Sequence, residues 1–176
     1  MASTSSNIEV AIRKAFRRLG YTDVKEEQLK AAREFMTGRD VFVCLPTGSG
    51  KSMCYGCLPY AFDELEANTF GDLSRNAEEN AIILIVCPLT SLMEDQVKKF
   101  TAIGLKAAFV GEAQDDHLVG RGVMDGEYRL VYMSPESMMT VLQWREMFRS
   151  PLYQQRLKGI VIDEAHCVEQ WLVVTF

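Results

Sequence analysis

The chain has 176 residues, a length that suits one domain and hardly two. Hydrophobic residues make up 48% and charged residues 24%, enough apolar material for one core in an ordinary globular protein. The net charge of -5 means that any nucleic-acid contact must be local. No apolar run approaches the roughly 20 residues that span a bilayer, so no membrane partner is expected.

In chain order, the first seven residues are polar and lack the apolar centre of a signal peptide. Ser6-Asn7-Ile8-Glu9 has a capping-box pattern. Behind it Ile8, Ala11, Ile12, Ala15, Phe16 and Leu19 recur at helical spacing up to Gly20. A second helix is predicted over 26–36, stopped by Gly38. Val41-Phe42-Val43-Cys44-Leu45 reads as a strand, followed by a Gly-rich turn and a helix from Lys51. Residues 68–80 are polar and aperiodic, the mark of a surface loop. Further strands are predicted over 81–87, 106–110, 129–133 and 159–163, with a helix over 92–103 and a short helix within 114–127. The strands are continuous apolar runs alternating with helices, which predicts an α/β fold with a parallel sheet covered on both faces.

The five cysteines read as reduced thiols in a cytosolic or nuclear protein. Cys54 and Cys57 have a metal-like spacing, but no second Cys or His pair completes a zinc site. They read as neighbours one helical turn apart, facing a core.

Pro46-Thr47-Gly48-Ser49-Gly50-Lys51-Ser52 lies between the apolar run and a helix start. Glycines there let backbone N–H groups approach phosphate oxygens, and the helix N-terminus favours the anion. Lys51 would reach the β- and γ-phosphates of a bound nucleoside triphosphate, and the Ser52 hydroxyl would ligate magnesium. Roughly 110 residues later, Ile160-Val161-Ile162-Asp163-Glu164-Ala165-His166 places acidic groups at the end of a strand. Asp163 would anchor magnesium, and Glu164 would polarise the attacking water. His166 would sense the γ-phosphate or couple the site to its surroundings.

With these motifs the chain resembles the RecQ-type DNA helicases of superfamily 2, over about residues 16–171. Leu19-Gly20-Tyr21 with Gln28 looks like the family's adenine-reading motif. Cys87-Pro88-Leu89-Thr90-Ser91-Leu92-Met93-Glu94-Asp95-Gln96 is similar to its motif Ia, and Tyr132-Met133-Ser134-Pro135-Glu136 to its motif Ib. Asp163-Glu164-Ala165-His166-Cys167 continues to Gln170-Trp171, the start of the aromatic-rich loop. Gly111-Glu112-Ala113-Gln114 and Tyr128-Arg129-Leu130-Val131-Tyr132 lean toward the Werner-syndrome type. The phosphate loop has Leu45 where the general pattern has glycine, which the helicase variant with Pro-Thr-Gly tolerates.

The resemblance implies a RecA-like P-loop NTPase domain, the first motor lobe of a 3'-5' helicase that couples ATP hydrolysis to DNA unwinding in repair, recombination and replication. Tyr21 would stack on adenine and Gln28 pair with its edge. Lys25 stands where the family usually has arginine, the better planar stacker. Thr47, Gly48, Ser49, Gly50, Lys51 and Ser52 would hold Mg-ATP. Thr90, Ser91, Ser134, Pro135 and Glu136 would line single-stranded or forked DNA, with Gln170 and Trp171 coupling DNA to hydrolysis. Lys98-Lys99 reads as a solvated helix face that could add phosphate contacts. Leu92 and Met93 read as core. The location implied is nuclear in a eukaryote, otherwise cytoplasmic.

After Trp171 the family continues with Gly-His-Asp-Phe-Arg, whereas this chain has Leu172-Val173-Val174-Thr175-Phe176. The expectation is a partial first lobe over 1–171 and a non-family apolar tail over 172–176. The second RecA-like lobe with its arginines is then missing, so the chain would bind Mg-ATP and single-stranded DNA without unwinding. Two other readings stay open: a truncated non-catalytic nucleotide- or DNA-binding isoform, and an unrelated P-loop ATPase.

Overall fold

The computed structural model describes residues 2–70, 80–111 and 117–167. The chain divides into two compact units, Met1–Ala81 and Ile82–Phe176.

The first unit is helical. Its elements are α1 (Ala2–Arg18), α2 (Glu26–Met36), α3 (Ser52–Gly56) and α4 (Leu58–Phe70). The apolar stripe of α1 is as predicted, with Ile8, Ala11, Ile12, Ala15, Phe16 and Leu19 all buried. Its start is not: the helix runs from Ala2, so Ser6 sits inside it rather than capping it. α4 extends to Phe70, past the predicted start of the surface loop at 68, and residues 71–79 lie outside the described residues. The buried Asp63 carboxylate accepts the Ala81 N–H at 3.0 Å and fixes the chain just ahead of the next strand.

The strand predicted over 41–45 is not formed. Burial alternates along it in a strand-like way, with Phe42 83% exposed, but it pairs with no other strand. Apolar, β-branched residues supply the propensity; a strand also needs a ladder partner for its N–H and C=O groups. Among the described residues this segment has none.

The second unit is α/β. Its strands are β1 (Ile82–Val86), β2 (Ala107–Val110), β3 (Leu130–Met133) and β4 (Leu157–Ile162). They form one parallel sheet of order β2-β3-β1-β4. The helices are α5 (Thr90–Ala102), α6 (His117–Met124), α7 (Pro135–Thr140), α8 (Leu142–Arg149) and α9 (Pro151–Arg156). Ile82, Leu84 and Val86 pack one face of β1 against Val123 of α6, Trp144 and Met147 of α8 and Tyr153 of α9. Ile83 and Ile85 point the other way and are as fully buried. The central strand thus matches the expectation of burial on both faces. The edge strand β4 does not, since Ile160 and Ile162 are 47% and 48% exposed.

The last helix is tied down by two polar contacts. Tyr153 donates its hydroxyl to the Val123 carbonyl at 2.7 Å, and the buried Arg156 donates to the Gly126 carbonyl at 2.7 Å. Burial pushes the Tyr153 phenol above its usual range, so it stays a donor.

Cys54 and Cys57 are buried in and just after α3, in line with the core reading, and Cys87 is buried at the end of β1. Burial raises the thiols of Cys54 and Cys57 above the ordinary range, which starves them of thiolate. Cys44 is exposed. A maleimide at about pH 8 is expected to label Cys44 in the native chain and to reach Cys54, Cys57 and Cys87 only on unfolding, as read by peptide mass spectrometry. Among the described residues no helix is long and apolar enough to cross a membrane.

Candidate functional site

The phosphate loop belongs to the first unit. Thr47 and Gly48 form its exposed turn, and Ser49 and Gly50 are half-buried. Gly48 and Gly50 have φ of 78° and 90°, backbone that side chains with a Cβ rarely adopt. Lys51 precedes α3 and Ser52 is its first residue. The sequence therefore makes the turn and helix start it predicted, without the leading strand.

Three donors hold the loop by its carbonyls. The Lys51 ammonium donates to Leu45 O at 2.9 Å, the Lys25 ammonium to Ser49 O at 2.8 Å, and the Gln28 amide to Gly50 O at 3.1 Å. Gln28 is 5% exposed, and its Oε1 accepts the Lys25 N–H at 3.2 Å. The candidate adenine-reading motif is thus physically joined to the loop, which sequence alone did not reveal. Tyr21 is half-buried and meets Phe16 edge-on, with ring centroids 6.2 Å apart.

The second unit carries the acidic motif and the two candidate DNA motifs. In the sheet register Val86 faces Met133 on one side and Ile162 on the other. Cys87, Ser134 and Asp163 follow these residues, so motifs Ia, Ib and the acidic segment leave the sheet at one level, at its carboxyl edge. The pairing continues past the strands: Cys87 N–H donates to Met133 O at 3.0 Å and Asp163 N–H to Val86 O at 2.9 Å. After β1 the chain winds to one side through β2 and β3, then adds β4 on the other. That reversal makes the carboxyl end of β1 a switch point, where open parallel sheets bind ligands.

Asp163 is half-buried, and its Oδ1 accepts the Glu164 N–H at 3.1 Å. Glu164 has φ of 55°, the one non-glycine residue with positive φ among the described residues. Such strain, about 1–3 kcal/mol, persists where the surroundings impose it and is common at functional sites. His166 Nδ1 lies 3.3 Å from Glu164 Oε2, so the histidine is placed to orient this carboxylate.

Thr90 and Ser91 open α5, half-buried and exposed respectively, beside an exposed Leu89. Met93 is core as predicted, whereas Leu92 is only half-buried. Lys98 lies 3.8 Å from Glu94 on an exposed face, a solvated i,i+4 pair. The Ser134 hydroxyl is already engaged: it caps α7 by accepting the Ser137 N–H at 3.1 Å. Pro135 is buried at the first helical position, and Glu136 is exposed in the first turn, where its charge complements the helix dipole. Gln170 and Trp171 lie outside the described residues.

Magnesium takes hard oxygen ligands, usually one or two carboxylates with substrate phosphates and water. Among the described residues no three His, Cys, Asp or Glu side chains cluster to hold a metal by themselves. Asp163 carries a carboxylate and Ser52 a hydroxyl, each by itself an oxygen donor of the kind this metal takes.

The family model for the DEAD/DEAH box helicases matches residues 25–175. The chain belongs to the DEAD/DEAH box helicase family. Within that family its likeness is to the RecQ group. It is 32% identical to the ATP-dependent DNA helicase RecQ of Haemophilus influenzae over 86% of this chain and 22% of that protein. To the ATP-dependent helicase SGS1 of Saccharomyces cerevisiae it is 32% identical over 84% of this chain and 10% of that protein. The chain therefore spans a quarter or less of these two relatives. Among solved structures, the DUF1998 helicase MrfA bound to DNA matches with a TM-score of 0.63 at 20% identity, over 89% of this chain and 21% of that one. This likeness supports the RecA-like α/β fold.

Proposed function

We propose that this chain is the ATP-binding first motor lobe of a RecQ-like DNA helicase, covering 1–171. The observation that carries the reading is the family match over 25–175, which takes in both the phosphate loop and Asp163-Glu164-Ala165-His166. The glycine turn, with its Ser49 and Gly50 carbonyls engaged by Lys25 and Gln28, supports phosphate binding; the MrfA structure with DNA and AMPPNP supports both classes of ligand for this fold. In this proposal Lys51 leaves the Leu45 carbonyl to meet the β- and γ-phosphates, and Gln28 and Tyr21 receive the base. Ser52 and Asp163 would be the residues to hold magnesium, which would neutralise phosphate charge when bound. Glu164, oriented by His166, takes the proton of the attacking water. Motifs Ia and Ib contact the backbone of single-stranded DNA through hydroxyls and backbone N–H groups.

Unwinding, with 3'-5' polarity and roles in repair, recombination and replication, is proposed for a helicase in which this lobe works with a second one. Its location is nuclear in a eukaryote and cytoplasmic in a bacterium. Helicases of this type work with two lobes, and an arginine supplied in cis or in trans typically contributes about 10³–10⁵ in rate. This chain by itself is expected to bind Mg-ATP and single-stranded DNA while turning ATP over slowly.

The test is Mg-ATP affinity by calorimetry, with and without single-stranded DNA, for the wild type and Lys51→Ala. Losing a charge-assisted contact to phosphate is expected to weaken binding by about 10–100-fold. Equal affinity in the two chains would sink the reading. Binding and turnover that ignore DNA would favour a P-loop ATPase unrelated to nucleic acid.

A further inference from the structure

Lys25 occupies the position where the resemblance suggests a base contact, yet its ammonium reaches the phosphate loop. It donates to Ser49 O at 2.8 Å, and among the described residues it is the only donor to that carbonyl. The next carbonyl, Gly50 O, receives both the Gln28 amide at 3.1 Å and the Met53 N–H at 3.0 Å.

These carbonyls matter because of what lies opposite them. A trans peptide is planar, with C=O and N–H antiparallel. A donor that fixes Ser49 C=O therefore aims the Gly50 N–H the other way. Fixing Gly50 C=O aims the Lys51 N–H likewise. Neither N–H donates to a protein acceptor among the described residues. Successive N–H groups turned to one side form an anion-binding nest. The second plane has two donors and is doubly held; the first depends on Lys25.

We propose that Lys25 is a positioning residue for the phosphate site: it braces the Ser49–Gly50 peptide so that the Gly50 N–H faces the phosphates. It acts on the triphosphate whatever the base, leaving base discrimination to Gln28 and Tyr21. The proposal rests on the reading of this loop as the triphosphate site.

The test compares Mg-ATP, Mg-GTP and Mg-tripolyphosphate as competitors of a fluorescent nucleotide on wild type, Lys25→Met and Lys25→Arg. Lys25→Met is expected to weaken all three by one common factor of about fivefold, the scale of a single exposed charge-assisted bond. Lys25→Arg, still able to donate to the carbonyl, is expected to stay within about twofold of wild type. In the nucleotide-free chain, amide exchange over 46–52 is expected to quicken in Lys25→Met and not in Lys25→Arg. A loss confined to the nucleotides, with tripolyphosphate binding intact, would mean a base contact and overturn the proposal. So would unchanged binding or unchanged exchange in Lys25→Met. A wild type that binds none of the three probes would overturn the phosphate-site reading and this proposal with it, whereas a binding wild type with an unaffected Lys25→Met overturns this proposal alone.

Discussion

Gly126→Ala is expected to destabilise the second unit by about 3–5 kcal/mol, through strain, lost bonding and displaced packing acting together. Gly126 has φ of 68°, so any Cβ there costs about 1–2 kcal/mol. The new methyl would also stand 2.5 Å from Arg156 Nη1 and 2.7 Å from Leu152 Cδ2. Arg156 is buried and holds the Gly126 carbonyl, so pushing it away leaves charge and carbonyl poorly paired, at about 1–3 kcal/mol. Gly104→Ala is the control within the same unit: φ is 83° but nothing lies within 4 Å of its Cβ, so only the backbone strain remains. Urea unfolding followed by tryptophan fluorescence measures both, since Trp144 and Trp171 fall in this unit. Equal losses for the two variants would show that the Arg156 clamp contributes little.

The legible part of the fold was the part with a strong local signal. β1, β2 and β3 lie within a residue or two of their predicted bounds because their apolar runs are almost wholly buried, β1 and β3 at the sheet's centre and β2 at its edge. The helices over 135–156 were missed, although two of them begin with the same pair: Ser134-Pro135 and Ser150-Pro151 each set a serine cap before a proline at the first helical position. That is a readable start signal, but the helices behind it are only six residues long and too short to show the periodicity that marks a helix. The unformed strand over 41–45 is the opposite case, a sound local pattern that finds no pairing strand among the described residues.

The site divides along similar lines. Motif spacing marks out the proposed phosphate loop and the acidic strand end, because phosphate chemistry demands glycines, an ammonium and carboxylates in fixed local order. What spacing could not supply was the bonding across 22–24 residues from Lys25 and Gln28 to Ser49 and Gly50. Nor could it supply the positive φ of Glu164, which side-chain identity argues against. Both are tertiary constraints that override local preference.

The bonding from Gln28 leads to the second large expected effect. Gly50→Ala is expected to weaken Mg-ATP binding by about 100-fold and to lower the unfolding midpoint as well, by the same backbone strain as in Gly104→Ala. With φ of 90°, residue 50 is in backbone that favours glycine, and a Cβ would lie 2.7 Å from Gln28 Nε2. The methyl must expel the amide or tip the peptide. Either way the Lys51 N–H loses the orientation that a phosphate oxygen needs. The misdirected N–H contacts to phosphate amount to about 1.5–3 kcal/mol of binding, and each 1.4 kcal/mol is roughly tenfold in affinity; the backbone strain of about 1–2 kcal/mol falls on the folded state itself. A double variant with Gln28→Ala separates the causes. If the clash dominates, removing the amide restores much of the tripolyphosphate affinity, which needs no base contact. If backbone strain dominates, the double variant binds no better than Gly50→Ala. Wild-type affinity in Gly50→Ala itself would mean that phosphates are held by some other part of the chain.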